Sequence, residues 1–126
     1  MHRILLREVV IDAPDDVFTA TRQFWSSALL AEARLVEDYP EFTGLAHPAA
    51  MSWVGLQIVG DAAARLHLDI ETDDVDDAEV RRLADLGATI VAQRRAWVVL
   101  KDPAGLLFCV VSHDSPWFEE RARVVP

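Results

Sequence analysis

A histidine and two acids stand at alternate positions of one predicted strand, in the segment RLHLDIETDD at residues 65–74. Alternate residues of a strand point to the same face of a sheet, so His67, Asp69 and Glu71 share a face, and the leucines and isoleucine between them point to the other. Convergent imidazole and carboxylate groups can bind a divalent metal or transfer protons. The same alternation is also typical of an ordinary strand with one solvated face, which involves no chemistry.

The single cysteine, Cys109, lies in the apolar run LLFCVV. One cysteine allows no internal disulfide and excludes a zinc-ribbon site. The thiol is a small hydrophobic core residue, a lone ligand or a reactive group. Trp53 and Trp97 likewise allow two interpretations, the lining of an aromatic ligand pocket or the filling of a core.

Composition limits the classes of partner. The chain has 126 residues, 52% of them apolar, which argues against disorder and fits one compact domain. The net charge of −9, without a basic stripe, argues against nucleic acid, and no apolar run approaches the roughly 20 residues that cross a bilayer. The amino-terminal residues alternate charged and apolar types, which predicts a first strand rather than a signal peptide, and hence a cytoplasmic protein without a membrane partner.

Periodicity and turn residues predict the order of the elements. Asp15 is expected to cap the first helix, Asp76 and Glu79 have capping-box spacing in the second, and Gly87 is placed to end it. The sequence Asp-Pro-Ala-Gly at 102–105 predicts a type I turn. The expected strands are 3–12, about 32–38, 42–47, 51–59, 65–72, 88–94, 96–101 and 106–112, and the second helix is about 76–86.

The chain therefore predicts a repeat. Both halves contain a strand, an acidic turn, a helix and then three strands, so an internal duplication of a βαβββ unit explains the order most simply. The expected architecture is a single α+β domain over 1–126, with modules of about 1–60 and 64–113 and a tail at 114–126. Neither module can bury its sheet alone, so the two are expected to pair around a cup.

A set of short motifs in this order resembles the glyoxalase-like branch of the vicinal oxygen chelate superfamily. The motifs are FW at 24–25, Gln57, HLD at 67–69, LGA at 86–88, WVVLKDPAG at 97–105 and FCVV at 108–111. The resemblance implies paired βαβββ modules whose curved mixed sheet, or half-barrel, surrounds a small-molecule ligand, with the fifth and eighth strands facing each other across the cup. It also implies homodimerisation.

In metal-dependent members of that superfamily, residues of the first, fourth, fifth and eighth strands hold a divalent cation. The resemblance implies His67 as the fifth-strand ligand, Gln57 as the fourth-strand ligand and Glu8 as the candidate on the first strand. The eighth-strand acid is replaced by Cys109, and a thiolate favours softer metals. The candidate catalytic residues are His67 and Cys109, and the candidate ligand-binding residues are Gln57, Asp69, Trp53 and Trp97.

Two functions remain open on the sequence. The first is a small-molecule enzyme related to lyases, isomerases or dioxygenases, with a divalent cation at His67 and Gln57. The second is a metal-free protein, similar to the drug-resistance members of the superfamily, that sequesters an aromatic or cationic ligand through tryptophans and acids.

Overall fold

The computed structural model describes residues 1–47, 53–60, 62–75 and 78–126. The order of strand, helix and three strands occurs twice, which confirms the predicted α+β fold with two tandem βαβββ modules and mixed strand pairing. The elements of the first module are β1 (Arg3–Ala13), α1 (Phe18–Ala28), β2 (Glu32–Leu35), β3 (Phe42–Ala46) and β4 (Trp53–Ile58). Those of the second are β5 (Arg65–Thr72), α2 (Ala78–Asp85), β6 (Thr89–Gln93), β7 (Trp97–Lys101) and β8 (Leu107–Ser112), followed by α3 (Phe118–Arg121) and β9 (Arg123–Val124).

The chain divides into two compact units. The amino-terminal unit is Glu8–Leu66, and the carboxy-terminal unit combines Met1–Arg7 with His67–Pro126. In the amino-terminal unit the strand order is β2-β3-β4-β1, with β1 parallel to β4 and the other neighbours antiparallel. Its core lies between α1 and one face of these strands, because the alternating apolar residues of β4 all point to that side. The buried residues of this core are Ala13, Phe18, Ala31, Leu45, Val54 and Leu56.

The start of α1 differs from the prediction. Asp15 does not cap the helix: it lies in a 3-10 turn at Asp15–Val17, and neither this turn nor α1 has a side-chain cap hydrogen bond. Pro14 begins the turn, and the backbone N–H of Asp15 donates to the carbonyl of Gly60 at 2.8 Å. The turn thus orders the chain through backbone contacts before the helix begins.

In the carboxy-terminal unit the strand order is β5-β8-β7-β6, with β5 parallel to β8. Helix α2 packs on one face of these strands through an apolar cluster. Gly87 follows the helix with φ +111°, a conformation that glycine adopts without strain, as its predicted role as a stop signal requires. The expected cap at Asp76 lies outside the described residues. The buried residues of the cluster are Val80, Val98, Leu100, Phe108 and Val110.

The turn between β7 and β8 has the predicted position. The side-chain Oδ1 of Asp102 accepts hydrogen bonds from the backbone N–H groups of Ala104 and Leu106, at 2.9 and 2.8 Å. The N–H of Gly105 donates to the Asp102 carbonyl at 2.9 Å. These bonds close the hairpin that sets the register of β8, the strand that carries Cys109.

The tail folds onto the carboxy-terminal unit. Phe118 is 1% exposed, and the Arg3 guanidinium lies 5.0 Å from the centre of its ring. Strand β9 pairs antiparallel with Arg3 and Ile4 of β1. These contacts explain why Met1–Arg7 belongs to this unit. Within the described residues, no helix is long and apolar enough to cross a membrane.

Candidate functional site

The polar row of β5 is buried. His67 is 7% exposed, Asp69 6% and Glu71 0%, whereas Leu66 and Leu68 on the opposite side of the strand are 57% and 36% exposed. The interpretation of this row as the solvated face of an ordinary strand is therefore wrong. Buried ionisable groups are costly unless they are paired or bind a ligand, so each member of the row needs an explanation.

Glu71 has a structural explanation. Its Oε1 accepts hydrogen bonds from the backbone N–H groups of Asp114 and Ser115 at 2.8 and 2.6 Å, and its Oε2 accepts one from the Ser115 hydroxyl at 2.6 Å. The Arg7 guanidinium also contacts Oε1, at 3.4 Å. A carboxylate with this many donors is fully occupied in holding the tail, so Glu71 is not a candidate for chemistry.

Asp69 is not satisfied in the same way. Its Oδ1 lies 3.2 Å from Nε2 of His67, but the contact lacks the geometry of a hydrogen bond. Across the part of the chain that the structure describes, no donor makes a hydrogen bond to this buried oxygen. Leaving such an acceptor without a hydrogen bond costs about 1–3 kcal/mol, and more when it is charged. A bound cation or a hydrogen-bond donor of a ligand can satisfy this oxygen.

Cys109 completes the site from the next strand. Asp69 and Cys109 are register partners in the parallel pair of β5 and β8, so their side chains share a face. The expectation that these strands face each other across a cup is wrong, because they are neighbours in the same sheet. The imidazole nitrogen of His67, a carboxylate oxygen of Asp69 and the Cys109 sulfur all lie within 4.8 Å of one another. We call these three residues the three-donor centre.

The three-donor centre has the chemistry of a cation site. Zinc binds imidazole nitrogen, carboxylate oxygen and thiolate sulfur at about 2.0–2.3 Å, so two donors to one ion are separated by at most roughly 4.6 Å. The upper bound of 4.8 Å on the three observed separations is close to this limit. The unsatisfied Asp69 oxygen and the mixed nitrogen, oxygen and sulfur donors therefore fit a soft or borderline divalent cation.

Trp97 lies on the same face as this centre. In the antiparallel pair of β7 and β8, Val99 is opposite Cys109 and Trp97 is opposite Val111. Because Val111 is two residues from Cys109, the half-buried ring of Trp97 belongs to the same side of the sheet, one row further along. The indole can thus border a ligand at the three-donor centre.

The other candidate residues lie in the amino-terminal unit. Gly44 and Gly55 are register partners, and the Trp53 ring occupies the space over Gly44, 1.8 Å from where a Cβ would be. The Glu8 carboxylate lies over Gly55, 2.9 Å from the corresponding Cβ position. Gln57 is two residues beyond Gly55 and therefore shares its face. The structure brings Glu8, Trp53 and Gln57 onto one surface of this unit, over a floor of two glycines.

Asp12 was not singled out by the sequence. It is register partner of Gln57 and is 0% exposed, and its Oδ2 accepts a hydrogen bond from Nε of the half-exposed Arg65 at 3.1 Å. In the sequence, only the two-residue period of a strand, counted from Glu8, indicates that Asp12 shares a face with Glu8.

A further buried acid, Glu79, is structural. Its carboxylate receives hydrogen bonds from Arg82 at 2.7 and 2.8 Å and lies 2.7 Å from Nε2 of His2. Burial raises the pKa of Glu79, but the hydrogen bonds from Arg82 and His2 outweigh it and hold that pKa below its usual value. Glu79 therefore stays ionised and fixes α2 to the first residues of the chain.

Comparison with solved structures supports the fold. The chain is 19% identical to a Mn(II)-bound glyoxalase from Novosphingobium aromaticivorans, with a TM-score of 0.58 over 93% of this chain and 44% of that one. It is 19% identical to methylmalonyl-CoA epimerase from Mycobacterium tuberculosis, with a TM-score of 0.57 over 87% and 88%. A glyoxalase/bleomycin resistance protein/dioxygenase superfamily member from Vibrio splendidus 12B01 is 14% identical, with a TM-score of 0.54 over 90% and 100%. At these identities the likeness concerns the fold alone.

The comparison with curated proteins gave no significant match. A match to a family model is more informative, because the model of the glyoxalase-like domain aligns with residues 8–111. This range includes both βαβββ modules from the middle of β1 to nearly the end of β8. The chain therefore belongs to the glyoxalase-like domain family.

Proposed function

We propose that this protein is a small-molecule enzyme of the lyase or isomerase type, whose reaction centre is a divalent cation held by His67, Asp69 and Cys109. The observation that carries the proposal is the buried Oδ1 of Asp69, which no described donor satisfies and which lies beside an imidazole and opposite a thiol. A Mn(II)-bound glyoxalase and an epimerase among the structural neighbours are consistent with this reaction class.

Each residue has a separate task in this proposal. Asp69 and Cys109 supply negative charge that neutralises the cation, and His67 supplies a neutral imidazole nitrogen. A cation bound there supplies a Lewis acid that polarises an oxygen of the substrate. Trp97, on the same face, packs against the apolar part of the ligand and excludes water from it.

Glu8 and Gln57 also stay predicted metal ligands. This prediction rests on the family resemblance, in which residues at their positions on the first and fourth strands bind the metal. The three-donor centre does not depend on them. Glu8→Gln and Gln57→Ala test them in the same metal measurement, and each is expected to lower metal affinity if the residue is a ligand.

A second candidate function has its own observation. The 3.2 Å contact between His67 and Asp69 is an ion pair when the imidazole is protonated, and it then satisfies the carboxylate in part without a metal. In that case the protein binds a ligand but does not catalyse a reaction. The Trp53 ring and the Glu8 carboxylate, side by side over Gly44 and Gly55, suit an aromatic cation.

Elemental analysis separates the two functions. The full chain is purified without a histidine tag or chelator, then incubated with zinc, nickel, manganese or iron(II) and desalted. Stoichiometric metal that is lost in His67→Ala and in Asp69→Asn supports the enzyme, provided that it is retained in Asp85→Asn, a control in which an exposed acid of α2 is changed. Absence of metal under every condition overturns it and leaves the sequestering function, which titration with aromatic cations tests through tryptophan fluorescence.

We also propose that the protein forms a homodimer and is located in the cytoplasm. Exposed apolar side chains in the amino-terminal unit support a homodimer, since Leu30 is 87% exposed, Leu35 77% and Phe24 62%. Light scattering after size-exclusion chromatography tests it, and a monomer at micromolar concentration would contradict it. A cytoplasmic location suits a reduced cysteine, and cell fractionation tests that.

A further inference from the structure

The donor at position 109 differs from its two partners in chemistry and in accessibility. His67 and Asp69 are 7% and 6% exposed, whereas Cys109 is only partly buried. Carboxylates and imidazoles resist mild oxidants, but a thiolate reacts with hydroperoxides. The reactive donor is thus the one that a small oxidant in solution can reach.

The surroundings make Cys109 a donor rather than an isolated thiol. It is register partner of Asp69, whose buried Oδ1 has no hydrogen bond from any described residue. Its other register partner, Val99 on β7, is apolar. A cation at the three-donor centre would hold Cys109 as the thiolate, which is the form that oxidants attack.

We infer that Cys109 makes metal retention depend on oxidation: a hydroperoxide converts its thiolate to sulfenate, and the cation is released. This inference rests on the proposed function. The thiolate attacks one peroxide oxygen, a sulfur–oxygen bond forms and the oxygen–oxygen bond breaks. The sulfur loses two electrons, and the leaving oxygen takes up a proton to give water or an alcohol.

Loss of the thiolate leaves two protein ligands, one fewer than the three that catalytic metal sites generally have. Because Cys109 is the only cysteine of the chain, no second thiol in it can form a disulfide with the sulfenic acid. An external thiol therefore reverses the change. The first thiol condenses with the sulfenic acid, giving a mixed disulfide and water, and a second thiol displaces the first as a disulfide and regenerates Cys109.

The experiment follows metal and sulfur together. The zinc-loaded full chain is treated with hydrogen peroxide, zinc release is read with a chromophoric chelator, and sulfenate is read by intact mass after trapping with a carbon nucleophile. Circular dichroism monitors folding throughout. We expect zinc release in proportion to sulfenate, with zinc affinity reduced by more than about 100-fold, since even mutation of residues behind the ligands reduces affinity by about 10–100-fold. Dithiothreitol followed by zinc is expected to restore the complex.

The matched variant is Cys109→Asp, which keeps an anionic donor that peroxide does not oxidise. It is expected to bind zinc and to retain it in peroxide. Zinc that stays bound to sulfenylated wild-type protein, or equal release from Cys109→Asp, would overturn the inference. Zinc content before peroxide is measured separately, so absence of metal at that stage shows that the proposed function itself has failed. The wild-type time course is decisive even if the variant does not fold.

Discussion

Asp69 and Cys109 are direct register partners on the adjacent parallel strands β5 and β8. This relationship places a hard oxygen donor and a soft sulfur donor on one face of the sheet, with the imidazole of His67 two residues from Asp69. The set combines donor types that different metals prefer, and the identity of residue 109 is expected to decide the preference.

Metal selectivity is the first prediction. Wild-type protein should bind zinc or cobalt more tightly than manganese because Cys109 supplies sulfur, and Cys109→Asp should move the preference toward manganese. The zinc-to-manganese affinity ratio is expected to fall by about tenfold or more, given that ligand surroundings alone change affinity by about 10–100-fold. Competition titration with a fluorescent chelator measures both constants. An unchanged ratio would show that Cys109 is not a ligand.

The glycine floor of the amino-terminal unit gives the second prediction. In Gly44→Ala the new Cβ would lie 1.8 Å from the Trp53 ring, which must move, whereas in Gly55→Ala it would meet the end of the flexible Glu8 side chain at 2.9 Å. Overpacking of this kind costs about 1–3 kcal/mol, so Gly44→Ala should lower the free energy of unfolding by that amount and Gly55→Ala by less. Urea denaturation followed by tryptophan fluorescence measures both. Equal effects would mean that the Trp53 ring is not fixed over Gly44.

Part of the fold and of the three-donor centre could be predicted from the sequence. The two-residue period placed His67 and Asp69 on one face, and the repeat gave the order of the elements, since both depend on local pattern. Periodicity cannot tell which face of a strand is covered, so the burial of the polar row on β5 was not predictable. The 3.2 Å contact between His67 and Asp69 depends on side-chain rotamers, which sequence spacing does not fix.

The missed elements have a different cause. Helix α3 has four residues and β9 has two, too few for any period to show. They form because Glu71 and β1 provide buried hydrogen-bond acceptors and a strand edge, which are distant in sequence. The capping prediction at Asp15 failed because a proline and a backbone contact to Gly60 favoured a 3-10 turn at that point.

The tail provides the third prediction. The carboxylate of Glu71 accepts three hydrogen bonds from Asp114 and Ser115. Glu71→Gln keeps the size of this side chain but removes its negative charge. Hydrogen bonds to a charged group contribute about 1.5–3 kcal/mol, more than those to the neutral amide oxygen of glutamine. The free energy of unfolding should therefore fall by about 1–3 kcal/mol, and proteases should cleave near residues 113–118 more readily. Glu120→Gln, at an exposed position of α3, is the control. Unchanged cleavage in Glu71→Gln would contradict the role of Glu71 in holding the tail.

Acid sensitivity is the fourth prediction and concerns Glu79. Its pKa is lower in the folded protein than its ordinary value of 4.5, so its stabilising contribution is fully present above pH 4.5 and is lost as the pH falls through the folded pKa. The free energy of unfolding of the wild type should therefore decrease with acid over this window. In Glu79→Gln the decrease should be smaller, because the variant lacks this titrating group. Urea unfolding of both proteins between about pH 6 and pH 3 measures the difference. Parallel curves would show that Glu79 does not contribute.

The unsatisfied Oδ1 of Asp69 creates a trade-off between stability and function. A charge that is buried without a full set of partners is a burden to the metal-free protein, and its replacement by an apolar residue of similar size is often neutral or stabilising. Asp69→Leu is accordingly expected to raise the melting temperature of the metal-free chain while it removes the metal site. Directed evolution for thermal stability alone would then tend to erase this carboxylate, whereas selection for metal loading would keep it.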